Sequence, residues 1–170
     1  MGEDIGRRRF IKCAAGSTVA LASMQVFGTA ADHARGCKYF NVAQAATVNA
    51  IAEQIVPADD SPGAHEAGIL FYIDGLLNGR YGGFYRERYE SGLKLIDRFS
   101  RGQFHKDFVN LNSDQQISVL KALESGSAAG SEGSRFFVLI LRHTIEGYYG
   151  DPEHHGNPGN ASWRMIGFEG

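Results

Sequence analysis

Apolar side chains recur at helical spacing along most of this chain, and strand-like alternation is almost absent. Asn41 followed by Gln44 reads as a capping box, in which two side chains satisfy two otherwise orphan backbone N–H groups. The helix it opens carries Val48, Ile51, Ala52 and Ile55 on one face and stops at Val56-Pro57, because a residue before proline disfavours the helical conformation. Pro57 to Gly63 is a turn-rich loop. A second helix is expected from about His65 to Asn78, closing on Gly79, and Tyr81-Gly82-Gly83 reads as a hinge. The next helix shows an apolar and aromatic stripe at Tyr85, Tyr89, Leu93, Ile96 and Phe99, a spacing that belongs to a core. Ser113 with Gln116 predicts a further capped start, before Ile117, Leu120 and Leu123.

Ser125 to Ser134 is rich in small residues and reads as a linker within the domain. Phe136 to Leu141 is the most hydrophobic segment, and its continuation through His143 to Glu146 predicts a helix buried on most sides. From Gly147 onward, glycines and two prolines predict an irregular tail. It nevertheless holds Tyr148, Tyr149, His154, His155 and Trp163. Disordered tails are poor in aromatics, so this one is expected to fold against something: its own helices, a partner, or both through different residues. The fold class is therefore all-α, a single domain of about five helices (32–170) with an extended tail over 147–170.

The N-terminus changes this picture. Arg7-Arg8-Arg9-Phe10-Ile11-Lys12 fits the twin-arginine export pattern, through Arg7, Arg8, Phe10, Ile11 and Lys12. The apolar run behind it, Cys13 to Gly28, is too short and too mild for a membrane span, which needs about 20 strongly apolar residues. Small residues from Gly28 to Ala31 offer a processing site, so 1–31 reads as a signal segment. That pathway carries proteins that are already folded. A small domain with such a signal, and with no cofactor motif of its own, suits an escort for a larger partner.

Without residues 1–31 the chain keeps 13 basic against 17 acidic residues, net about −4. That balance excludes a nucleic-acid-binding footprint and a polybasic lipid-binding patch. Cys37 would then be the sole cysteine, with three readings open: burial, a disulfide to another chain, or an idle thiol.

Candidate chemistry is sparse. Asp151, Glu153, His154 and His155 could ligate a metal, but adjacent histidines in a loop share no face, and a hydrogen-bonded turn is the better expectation. His65 with Glu66, His105 with Asp107 and His143 with Glu146 are isolated pairs. No nucleophile elbow, dinucleotide fingerprint, P-loop or paired-cysteine motif is present. Asn160-Ala161-Ser162 forms a glycosylation sequon that carries little weight behind a bacterial-type signal.

Taken together, the signal, Ala50–Asp59 leading to Pro62–Gly68, Thr144–Pro152, and Gly156-Asn157 through Trp163–Phe168 resemble the gluconate 2-dehydrogenase subunit 3 family, small subunits of bacterial membrane-associated flavin dehydrogenases. The resemblance implies a non-catalytic subunit with no cofactor in this chain. It implies a large partner of the glucose-methanol-choline type that carries FAD and oxidises a sugar, sugar acid or alcohol, and a multihaem cytochrome c subunit that passes electrons onward. The small subunit would engage the twin-arginine translocase on behalf of both and reside at the periplasmic face of the inner membrane. The same resemblance marks Pro57, Asp59, Pro62 and His65 in the loop, and Tyr148, Tyr149, Asp151, His154, Asn157, Trp163 and Phe168 in the tail, as the expected partner interface.

Overall fold

The helix that carries the run Phe136 to Leu141 packs at the centre of the bundle. In the computed structural model, which describes residues 35–168, the described residues form six α-helices and no strand. These are α1 (Val42–Ile55), α2 (Ile69–Asn78), α3 (Arg86–Phe104), α4 (Ser113–Glu124), α5 (Gly130–Tyr149) and α6 (Ala161–Ile166). α5 touches each of the other five. It can do so because Phe136, Phe137, Leu139, Ile140, His143, Thr144 and Tyr148 are all buried. The signal residues expected at 1–31 lie outside the described residues.

α1 begins as expected: the Gln44 amide donates to Asn41 Oδ1 at 3.0 Å, and the Asn41 amide donates to Gln44 Oε1 at 3.1 Å. It buries Val48, Ile51, Ala52 and Ile55. α3 meets α5 where Gly92 lies against the Phe136 ring, and a Cβ at Gly92 would overlap that ring. Tyr89 stacks its edge on Phe136 at 5.9 Å between centroids. Fully burying one such large side chain contributes about 1.5–3 kcal/mol.

Four expectations need correction. The second capping box is set one residue earlier, with Asn112 Oδ1 accepting from the Gln115 amide at 2.9 Å. Ser113 and Gln116 are freed for other partners: Ser113 Oγ donates to Gln54 Oε1, while buried Gln116 donates to the Phe108 carbonyl and accepts from Gln54. The second helix starts at Ile69 rather than His65, because Gly68 adopts a left-handed φ of +68° that breaks it from the preceding turn. The segment 125–134 is not all linker. Gly130 already begins α5, and Ser134 Oγ donates to the Leu123 and Glu124 carbonyls, closing the end of α4. Finally, the tail holds regular structure: α5 continues to Tyr149, two short 3₁₀ turns follow (Pro152–His154 and Pro158–Asn160), and α6 closes it.

Candidate functional site

The 57–67 loop and the tail, far apart in sequence, meet on one side of the bundle. The loop is built on Glu53, near the end of α1. Its Oε1 accepts from the Ala58 amide at 3.2 Å and its Oε2 from the His65 amide at 2.9 Å. Asp59 Oδ1 accepts from the Ser61 amide at 2.8 Å, a local turn that the Asp-Asp-Ser-Pro sequence favours. The Ala64 amide donates to the Val56 carbonyl at 2.8 Å and closes the loop on itself. Pro57, Asp59 and His65 are left exposed, with Pro62 half-buried. The His65 ring lies 3.3 Å from Asn49 Oδ1.

Two residues fasten the tail to this loop. Tyr148, only 3 % exposed, donates its hydroxyl to the Pro62 carbonyl at 2.8 Å. Burial first, then the neighbouring Tyr149 and the Asp59 carboxylate, push that phenol above its usual range, so it remains a donor. Asn157, fully buried, donates its backbone amide to the Ala67 carbonyl at 2.9 Å and its side-chain amide to the Gly150 carbonyl at 3.2 Å. Its Oδ1 accepts from the Ser162 amide at 2.9 Å. Its φ of +50° is left-handed, a region that asparagine tolerates better than most residues. The preceding Gly156 passes so close to the Gly147 carbonyl that a Cβ there would collide with it.

The remaining interface candidates decorate this clasp. Asp151 Oδ1 accepts from the Glu153 amide at 2.9 Å, and Asp151 and His154 are exposed. Trp163 is half-buried: Nε1 donates to the Tyr149 carbonyl at 2.8 Å, and its ring meets Phe168 edge-on at 5.0 Å. Tyr149, Met165, Ile166 and Phe168 present large apolar surface to solvent. The loop and tail candidates thus fall into two groups. Tyr148 and Asn157 are buried inside the chain and hold the shape. Pro57, Asp59, His65, Tyr149, Asp151, His154 and Phe168 stand outside it, with Pro62 and Trp163 half-buried between the two.

Cys37 sits half-buried against the core, and among the described residues it forms no disulfide. Burial first, and then the charge and hydrogen bond of Asp74, push its thiol up to about 11. The thiolate is the nucleophile in disulfide chemistry, so this environment works against a reactive thiol.

Sequence reading missed the roles of two residues, Asp74 and Glu53, and named His143 only in a pair with Glu146. Asp74 is buried in α2, and its carboxylate accepts from three successive backbone amides, those of Lys38 (2.7 Å), Tyr39 and Phe40 (2.9 Å each). A lone charge inside the apolar run Ile69–Leu77 was the available signal. Glu53 supports the loop. His143, with 0 % exposure, places Nδ1 3.0 Å from the Tyr89 hydroxyl, stacks on the Tyr89 ring and meets the Tyr85 ring edge-on at 4.9 Å. Its Nε2 has no hydrogen-bond partner. Burial, and then the Arg142 charge, lower its pKa to about 4, so it is neutral near pH 7.

Two of the isolated pairs of the sequence find other partners. Asp107 pairs with Arg101 rather than His105, and Glu146 pairs with Arg142 at 2.8 Å rather than His143. Among the described residues no three His, Cys, Asp or Glu side chains converge as a metal site, and no helix is long and apolar enough to cross a membrane.

These features define an all-α domain in which Tyr148 and Asn157 hold the 57–67 loop against the tail. The chain belongs to the gluconate 2-dehydrogenase subunit 3 family, whose sequence model matches residues 42–170. No curated protein and no solved structure matches it. The matched span takes in α1, the clasped loop and the whole tail. It is thus a dehydrogenase subunit of a family named for one component of a larger enzyme.

Proposed function

We infer that the chain is the non-catalytic small subunit of a periplasmic FAD-dependent dehydrogenase acting on a sugar, sugar acid or alcohol. It stabilises the large flavoprotein subunit and carries it through the twin-arginine translocase. The family match carries this reading. The twin-arginine pattern at Arg7 and Arg8 supports the export role. The clasp supports the binding role: it fixes two distant segments beside each other and leaves Pro57, Asp59, His65, Asp151, His154 and Phe168 at the surface. Exposed apolar residues such as Ile166 and Phe168 suit the centre of an interface, and a stable complex buries about 1,600 Å² or more. A multihaem cytochrome c completes the assembly and places it at the periplasmic face of the inner membrane.

The test is a pull-down of the tagged chain from its native periplasmic and membrane fractions, read by mass and visible absorbance. A near-stoichiometric large partner with a flavin spectrum is expected. A lone, colourless chain would overturn the reading in favour of a stand-alone ligand-binding domain.

A further inference from the structure

Charge is unevenly divided along this chain, and the fold brings the acidic portions together. Neither 39–79 nor 143–163 contains a lysine or arginine, and the two segments carry eight carboxylates between them. The intervening 80–142, which supplies α3, α4 and most of α5, has ten lysines and arginines against seven acids. The acidic segments are the two that the clasp joins, through Tyr148 on Pro62 and Asn157 on Ala67.

Three of the eight carboxylates are committed inside the chain. Glu53 and Asp74 accept backbone amides, and Glu146 pairs with Arg142. The other five, Asp59, Asp60, Glu66, Asp151 and Glu153, are exposed, and none forms an ion pair among the described residues. Asp59 and Asp151 each accept a local amide, which holds these carboxylates in place before any partner arrives.

Beside them lies the unpartnered face of α6. Of the ten large hydrophobic side chains exposed among the described residues, four are Tyr149, Met165, Ile166 and Phe168. Trp163 ties them together, with its ring on Phe168 and Nε1 on the Tyr149 carbonyl. An apolar centre with a polar rim is the anatomy of a protein interface. Charge on such a rim selects a partner of opposite sign.

We propose that the partner seated here presents an apolar surface rimmed by lysines and arginines, which receives the α6 face and meets the carboxylates of 59–66 and 151–153. This rests on the proposed function, which supplies the occupant, the large flavoprotein subunit. It adds the chemistry of that subunit's contact and an orientation: the cation-rich 80–142 portion is not what the basic rim meets.

The experiment recovers the complex with the tagged full-length chain from its native fractions at about 20 and about 500 mM NaCl. Salt screens exposed charges and leaves apolar burial intact, so recovery of the flavoprotein should fall at the higher concentration. Asp60→Lys combined with Glu153→Lys should lower recovery about tenfold at the lower salt. Glu87→Lys combined with Glu124→Lys makes the same change of charge on α3 and α4 and should leave it unaltered. Ile166→Ser should lower recovery at both salt concentrations, and helix content by circular dichroism should be the same in every variant. Recovery that ignores salt, ignores Ile166→Ser, or falls equally with both lysine pairs would overturn the inference and leave the proposed function standing. So would release of a second copy of this chain, rather than the flavoprotein, by Asp60→Lys with Glu153→Lys. An unaltered chain that brings down no flavoprotein at either salt concentration overturns the proposed function, and this inference with it.

Discussion

The Tyr148 hydroxyl and the Pro62 carbonyl, 86 positions apart, lie 2.8 Å from each other and join the end of α5 to the loop that follows α1. Tyr148→Phe keeps the ring and deletes this single bond, leaving the carbonyl without its donor. The expected cost is about 1 kcal/mol in urea unfolding, with an unchanged slope. In the proposed complex, recovery of the large partner should fall, because the loop and tail lose their common register. Unchanged recovery together with the expected stability loss would separate the clasp from binding.

Asn157→Ala removes the side-chain donor to Gly150 and the acceptor for Ser162, and it places alanine at a positive φ. A loss of about 2–3 kcal/mol is expected. Limited proteolysis should then cut within 150–168 well before the helical bundle. Simultaneous digestion of tail and bundle would show that they are one cooperative unit.

His143 is neutral in the folded chain with a pKa of about 4, below the value of about 6.5 it regains when unfolded. The unfolded state therefore binds the extra proton between these values. The contribution of His143 is complete above about pH 6.5 and is lost as the pH falls towards 4, by about 3 kcal/mol in total. Urea midpoints measured from pH 7 to 4 should fall accordingly. His143→Phe should flatten that slope, whatever its stability at pH 7. An equal slope in both proteins would refute the assignment.

Cys37 should react slowly with iodoacetamide near neutral pH, with a midpoint in its rate profile at about 11. Asp74→Asn removes the charge that raises the thiol, so the midpoint should move down while staying above the unburied value. A midpoint unaffected by Asp74→Asn would mean that burial acts alone.

On the proposed function, Arg7→Lys combined with Arg8→Lys should leave both this chain and the proposed flavoprotein partner in the cytoplasm, as followed by fractionation and dehydrogenase activity. Continued export of the partner would show that it carries its own signal.

The helices and their buried faces were legible because spacing of apolar residues is a local property: Val48, Ile51 and Ile55, or Tyr89, Leu93 and Ile96, announce their face in a dozen residues. Helix boundaries were less so. Asn112 and Ser113 are both good caps, and the choice between them depended on Gln54, which offers Ser113 a partner from α1. Gly68 could break a helix or sit inside one; its left-handed φ of +68°, and the His155 carbonyl 3.1 Å from where a Cβ would stand, belong to the tertiary fold. The roles of Asp74, Glu53 and Asn157 depend on backbone amides supplied by other segments, and no spacing rule reveals such partners. The tail was recognised by its aromatics, but its two turns and α6 owe their form to Asn157, Gly150 and the α5 terminus acting together.

Asp74 also determines how mechanical force enters the molecule. Tension applied to the chain ahead of Lys38 would reach, beside the covalent backbone, the three hydrogen bonds by which the amides of Lys38, Tyr39 and Phe40 hold one carboxylate on α2. Three bonds to one buried group thus anchor the entry of the chain to the bundle's interior just ahead of the α1 capping box, so that end resists peeling as a unit rather than bond by bond.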